Sequence, residues 1–225
     1  MGLLGAGAVA IWHDITAEGR ENFYAWHGRE HMPERVGIPG FLRGRRYVAI
    51  DAKLEYFNLY EAKTTAVLSG PAYLDRLNNP TPWTLESVKH FRDVARSICQ
   101  VTASFGEGQG GLITTCCYDV SERDAEQHAT ALSSDLLPKL GENAMVAGVH
   151  LLIADADASL VDSAERKARG VQNRVPRWII LVEGWGDEEP FATLCAEALD
   201  AQSLSAAGAT GPIDRGLYRI QATTC

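Results

Sequence analysis

Hydrophobic and polar positions along the 225-residue chain switch between two periods. "GAVAIWHDI" (7–15) is apolar, with β-branched and aromatic residues toward its end, and predicts a strand. From about Ala17 to Glu34 the apolar positions recur at helical steps through Phe23, Trp26 and the His27/Met32 region. Pro33 and the glycines at 37 and 40 then predict the stop. "FLRGRRYVAI" and "EYFNLYEA" read as two strands joined by a short polar turn. "AVLSGPAYLDRLNNPTPW" reads as a helix broken near Asn78–Pro82, and "VARSICQVTASF" as a fourth strand.

"GEGQGG" (106–111) holds four glycines in six residues and predicts a boundary. The same order then recurs. "GLITTCCYDV" is a strand, and "SERDAEQHATALSSDLLPKL" a helix opening with a Ser-x-x-Asp capping signal. "MVAGVHLLIAD" and "PRWIILVEGW" are strands, "EEPFATLCAEALDA" is a helix with acids in its first turn, and "GLYRIQATT" is a last strand. The economical description is α+β: two β-α-β-β-α-β units, residues 1–105 and 112–225, joined by the Gly-rich linker 106–111. Each unit leaves one sheet face open, and two units in one chain cover each other's open faces. A second copy is then not needed for folding, and a homodimer stays open.

Composition narrows the function. A net charge of −8, from 21 Lys+Arg against 29 Asp+Glu, argues against nucleic-acid or anionic-membrane partners. No apolar run reaches membrane-spanning length, and "MGLLGAGAVAIW" reads as a first strand rather than a signal peptide. Five cysteines without a CxxC pair read as small buried hydrophobes in a reducing compartment, so the expectation is cytoplasmic. P-loop, GxGxxG, GxSxG and kinase signatures are absent, which argues against nucleotide-dependent chemistry.

"FYAWHGREHMPERVGIPGF" (23–41) carries the densest chemistry. His31, placed at a helix C-terminus, would feel the dipole's negative end and exchange protons near neutral pH. Glu30 and Glu34 are near enough to orient the ring, His27 lies one turn earlier, and Arg35, Arg45 or Arg46 offers an anion site. The same stretch reads formally as His-x-x-Glu-His, a zinc pattern needing a third ligand such as Glu61, His13 or His90. The bland reading is a self-capping His31 beside a half-exposed His27. On strand alternation His13 shares a face with Val9, Ile11 and Ile15, and Tyr56, Asn58 and Tyr60 share another, a hydrogen-bonding row suited to a pocket. His150 is expected to point between the sheets, and His90 and His128 to lie on the surface. Trp83 is expected at the mouth of the first unit. "LVDSAERKARGVQNRVPR" (160–177) exceeds a hairpin's needs and reads as a short solvated helix or a lid.

"F23-x-x-W26-x-x-x-x-H31-M32-P33", "G37-I38-P39-G40-F41" and "R46-Y47" resemble the EthD-like branch of the dimeric α+β-barrel (ferredoxin-like) superfamily. "S69-G70-P71-A72-Y73" through "F91-R92-D93" is similar to that group's second helix. The likeness spans roughly residues 5–105, and the second half resembles the group in element order, as a diverged tandem copy. The resemblance implies a pocket framed by the sheet and the end of the first helix. Its wider superfamily carries out cofactor-free isomerisations, cyclisations, lyase steps and oxidations on small cyclic molecules, while other members bind haem.

The expectation is therefore a cofactor-independent enzyme acting by proton transfer on a cyclic or aromatic carbonyl or carboxylate compound, as an isomerase, lyase or cyclase. His31, His27 and Glu34 are the candidate catalytic residues. His13, Arg35, Arg46, Tyr47, Asn58, Tyr60 and Trp83 are the candidate substrate contacts, with no metal and no cofactor expected. The alternatives are a haem-linked or oxygen-using oxidoreductase of the same fold and a non-catalytic, ligand-binding or stress-responsive protein.

Overall fold

The structure, a computed structural model, describes residues 2–170 and 173–225. Eight antiparallel strands close into a barrel in the order β1-β3-β2-β8-β5-β7-β6-β4. The strands are β1 (Gly7–Ile15), β2 (Phe41–Asp51), β3 (Tyr56–Ala62), β4 (Phe91–Phe105), β5 (Leu112–Val120), β6 (Val146–Asp155), β7 (Trp178–Gly184) and β8 (Ala209–Thr224). Four strands from each half form one sheet, and the sheets join where β2 pairs with β8 and β4 with β6. Closure leaves no free sheet edge. This is the pseudo-dimeric ferredoxin-like α+β architecture.

Strand alternation sends one residue set inward and the other toward the helices. Trp12, Tyr47, Phe57, Leu59, Leu152, Ile179, Leu181 and Tyr218 pack inside the barrel. A fully buried charge network runs beside them. Arg43 clamps Glu61 at 2.7 and 2.8 Å, and Arg45 donates to Glu183 at 2.6 and 2.9 Å and stands 3.0 Å from Glu61. His150 points into this interior, with Nδ1 2.8 Å from Ser104 Oγ. Tyr47 belongs here too, on the barrel side of β2, because its neighbour Arg46 takes the helix side.

The first helical run, α1, covers residues 17–36 and does not stop at Pro33. It passes through a 3-10 turn (Ala17–Gly19), an α-helix (Arg20–Trp26), a π-helical turn (His27–His31) and a further α-helical stretch (Met32–Val36). In the π-turn the Met32 N–H reaches the His27 carbonyl, one residue further back than in an α-helix. The widened turn takes up one extra residue just before Pro33, whose ring and missing N–H would otherwise disrupt the ladder. The second unit repeats the device in α5 (125–141), where the π-turn Leu132–Leu136 precedes Pro138.

Between these come α2 (Thr65–Leu68), α3 (Pro71–Asn78) and α4 (Pro82–Ser87), in place of one interrupted helix. Thr81 caps α4 by accepting from the Thr84 N–H at 3.0 Å. In the second unit Ser121 bonds Asp124 rather than capping a helix at 121, and α5 begins at Ala125. A short helix α6 (Ala156–Ser159) precedes the charged insertion, which contains α7 (Ala164–Arg169), capped by Ser163 and ended by Gly170 in the left-handed region. Val171 and Gln172, within the expected lid, lie outside the described residues. Helices α8 (Glu188–Ala198) and α9 (Ala201–Ala206) complete the cover. Among the described residues no helix is long and apolar enough to cross a membrane.

Candidate active site

In the first unit, α1, α3 and α4 cover the outer face of β1, β3 and β4, and α7 from the second unit lies across the opening. Its Ala164 N–H donates to Asn78 Oδ1 at 3.2 Å, and Arg35 of α1 is ion-paired with Glu165 of α7. A cavity of about 140 Å³ remains between sheet, helices and roof. A void of order 150 Å³ accommodates a benzene ring.

His27 and His31 leave the π-turn on one face, their rings stacked with centroids 5.5 Å apart. His31 also packs on Trp26, at 4.3 Å between centroids. Trp26 is pinned by its indole N–H to Thr84 Oγ1 at 3.1 Å. The His31 Nδ1 atom is buried and has no hydrogen-bond partner among the described residues. It lines the cavity with Asn58, Tyr60, Arg35 and Arg96.

The neighbouring tautomers follow from the donors. The Arg46 guanidinium, which can only donate, lies 3.3 Å from His27 Nδ1. Nδ1 therefore accepts, and the neutral ring's proton sits on Nε2, 3.2 Å from Tyr60 Oη. Tyr60 accepts there, and its own hydroxyl proton is free for the cavity. Deeper in, Asn58 Nδ2 donates to His13 Nε2 at 2.9 Å, which turns the unpartnered Asn58 Oδ1 away as an acceptor. The cavity wall thus holds a phenol with a free proton (Tyr60), an amide whose oxygen is unpartnered (Asn58) and an imidazole whose Nδ1 is unpartnered among the described residues (His31).

All three histidines are held neutral. Burial lowers the His13 pKa to about 3, with Arg169 and Arg46 adding to the effect against the Asp14 carbonyl. Burial, then Arg46 and His13, hold His27 well below 6.5, and burial, then Arg35, His27 and Arg169, do the same for His31. The helix-dipole expectation for His31 is thereby corrected: α1 runs on to Val36, so His31 sits inside the helix among guanidinium groups rather than at its C-terminus. Burial pushes the Tyr60 hydroxyl far above its usual range, so it stays a phenol.

Several expected residues stand elsewhere. Glu34 faces away from the rings, paired with Arg35 at 2.7 Å and Arg76 at 3.6 Å. Glu30 accepts from Thr81 at 2.6 Å, which takes it out of the zinc pattern. Among the described residues no group of three or more His, Cys, Asp or Glu is placed to hold a metal ion. Tyr47 is inside the barrel. Trp83 packs on the outer aromatic cluster, donating to Asn22 at 2.8 Å. His13 and Arg46 lie behind the cavity wall and touch it through Asn58 and His27. His128, expected on the surface, is fully buried between Tyr118 and Trp178, in the slot that Phe23 fills in the first unit.

Arg96, Tyr73, Arg166, Arg169 and Asn173 line the cavity and were not among the expected residues. Arg96 shares the helix-facing side of β4 with Ile98, a placement that alternation alone would have indicated. The equivalent space in the second unit is filled. Leu132 and Leu136 stand where His27 and His31 do, and Ile180 and Val182 replace Asn58 and Tyr60.

No family model matches the chain, and no curated protein matches it. Solved structures share its fold over nearly its whole length. An anthrone oxidase-like protein superposes with a TM-score of 0.67 at 10% identity, covering 97% of this chain and 92% of the other. A putative monooxygenase from Fusobacterium nucleatum gives 0.61 at 8% identity, over 98% and 95%. One from Lactobacillus acidophilus gives 0.59 at 10%, over 97% and 95%. At such identities the likeness establishes the fold, that of the ferredoxin-like dimeric α+β barrels realised within one chain.

Proposed function

We propose that the cavity is the active site of a small-molecule enzyme that removes a proton from a carbon beside a carbonyl on a cyclic or aromatic compound. What carries this reading is the His31 ring on the cavity wall, held neutral by burial beside the Arg35 guanidinium, with its buried Nδ1 lacking a hydrogen-bond partner among the described residues. The base takes the proton and becomes imidazolium. The electron pair left on the substrate becomes an enolate, whose oxygen is met by the Tyr60 hydroxyl and the nearby guanidinium charge. Asn58 Oδ1 accepts from a ring hydroxyl or N–H and fixes orientation. Isomerase, lyase and cyclase reactions share this first step.

Exchange of solvent deuterium into cyclic ketones and acyl phenols tests it directly. Label should enter the carbon next to the carbonyl with the native chain and not with His31→Gln, whose circular dichroism should match the parent. Equal exchange by the two proteins would refute the role of His31.

A second reading keeps the same base and lets dioxygen oxidise the enolate, the two electrons and two protons lost by the substrate leaving with it as hydrogen peroxide. The names of the anthrone oxidase-like and monooxygenase structures that share the fold favour it. Oxygen consumption that depends on substrate and on His31 separates it from simple enolisation.

A further inference from the structure

The cavity is more cationic than proton abstraction requires. Four guanidinium groups line it: Arg35, Arg96, Arg166 and Arg169. Against them stand Glu165, which is part of the lining, and Glu34, which pairs with Arg35 from behind. Four cations against two carboxylates leave a surplus of two in a chain whose net charge is −8. Two of the four are already engaged by main chain or tyrosine. Arg96 donates to Tyr73 Oη at 3.0 Å and the Ser159 carbonyl at 3.3 Å, and Arg166 donates to the Leu160 carbonyl at 2.6 Å. Arg169 differs. Its Nε is shielded from water and has no partner among the described residues, and the Asn173 side-chain oxygen beside it is likewise unpartnered. A shielded guanidinium N–H without a hydrogen bond is costly unless a ligand supplies one.

We propose that the substrate is an anion, a single aromatic or cyclic ring bearing a carboxylate, whose charged group is seated on Arg169 and Arg96. One arginine comes from the second unit's insertion and the other from β4 of the first, so the bound anion bridges the two units. The cavity volume limits the enclosed part to about one ring. The planar guanidinium fork suits a carboxylate, and the shielded setting makes charge-assisted bonds there stronger than in water. The aromatic walls Trp26, Tyr73 and Phe91 suit the ring.

This inference rests on the cavity being a substrate site, and its test needs no turnover. The full chain is titrated calorimetrically with benzoate and separately with benzamide, which has the same shape without the charge. Benzoate should bind at least about tenfold more tightly, the lower end expected of hydrogen bonds to a charged group. Arg169→Gln should bring the two affinities together, and Arg96→Gln should narrow the gap. His31→Gln should retain the preference, so loss of proton transfer and loss of anion recognition are read independently. Equal binding of the two probes by the native chain, binding of neither, or a preference that survives R169Q would overturn the proposal.

Discussion

Lowering the pH from about 7.5 to about 5.5 should cost this protein a large part of its stability, before its carboxylates begin to titrate. His13, His27 and His31 are buried and neutral when folded, with pKa values displaced downward from 6.5. In the unfolded chain each recovers the ordinary value and binds a proton below it. The unfolded state therefore holds more protons, and stability falls as pH drops below 6.5, for His13 continuing toward about 3. At one pH unit below the unfolded pKa each group costs RT ln 11, about 1.4 kcal/mol, and the three together about 4 kcal/mol. That is comparable with the whole stability of a small domain, about 5–15 kcal/mol. Urea unfolding followed by tryptophan fluorescence at several pH values gives the slope directly. His13→Gln and His27→Gln should each remove close to one proton from it, whatever they do to stability at neutral pH. Unchanged slopes in both variants, or native stability flat to within about 1 kcal/mol over this range, would refute the assignment.

Other consequences are more local. The acid limb of kcat/KM should fall below the ordinary histidine range near 6.5, because His31 stays unprotonated there; a limb at 6.5 or above would contradict its environment. Tyr60→Phe should lower kcat about 10- to 100-fold, measured by deuterium exchange, since it removes a donor from the enolate oxygen, and should cost about 1–3 kcal/mol in urea unfolding because it leaves the buried His27 Nε2–H without its acceptor. Arg45→Met leaves Glu183 and Glu61 sharing a buried interior with one fewer cation and should cost about 3–5 kcal/mol in chemical denaturation. Arg45 lies on the opposite side of the sheet from the cavity, so a folded R45M fraction should keep the KM of the parent.

The strands were the most legible part of the sequence, because turn residues bracket them and both units repeat one order. Alternation also grouped His13 with Val9, Ile11 and Ile15, and Asn58 with Tyr60, and both faces turn out to be the helix-facing ones. What failed did so for identifiable reasons. Pro33 reads as a stop because it disrupts an α-helical ladder, whereas the π-turn before it takes up the mismatch, and nothing in local propensity announces a π-turn. Tyr47 was grouped with Arg46, although adjacent strand residues face opposite sides. His128 looked polar in its surroundings, yet Tyr118 and the Ala207 carbonyl satisfy it in the interior, at 3.0 and 2.8 Å. Arg169 and Asn173 come from a segment some 140 residues downstream of His31, and only tertiary packing brings the roof over the first unit.

The two units show what separates scaffold from site. Both keep the strand register, the π-turn before a proline, and the inward glutamate of the third strand, Glu61 in one and Glu183 in the other. These features belong to barrel closure and to the pairing of its buried charges. The helix-facing positions differ instead, polar in the first unit and aliphatic in the second. Filling one cavity with Leu132, Leu136, Ile180 and Val182 supplies apolar burial that the open cavity forgoes. The filled unit is then free to give its long connection to its neighbour. A roof anchored by Glu165 on Arg35 and carrying Arg169 is within reach because the pseudo-twofold barrel sets the second unit's β6–β7 connection beside the first unit's helices. A symmetric pair of sites would need each insertion both to cover its partner and to leave its own cavity open. The division into a cavity-bearing half and a covering half meets both requirements with one insertion.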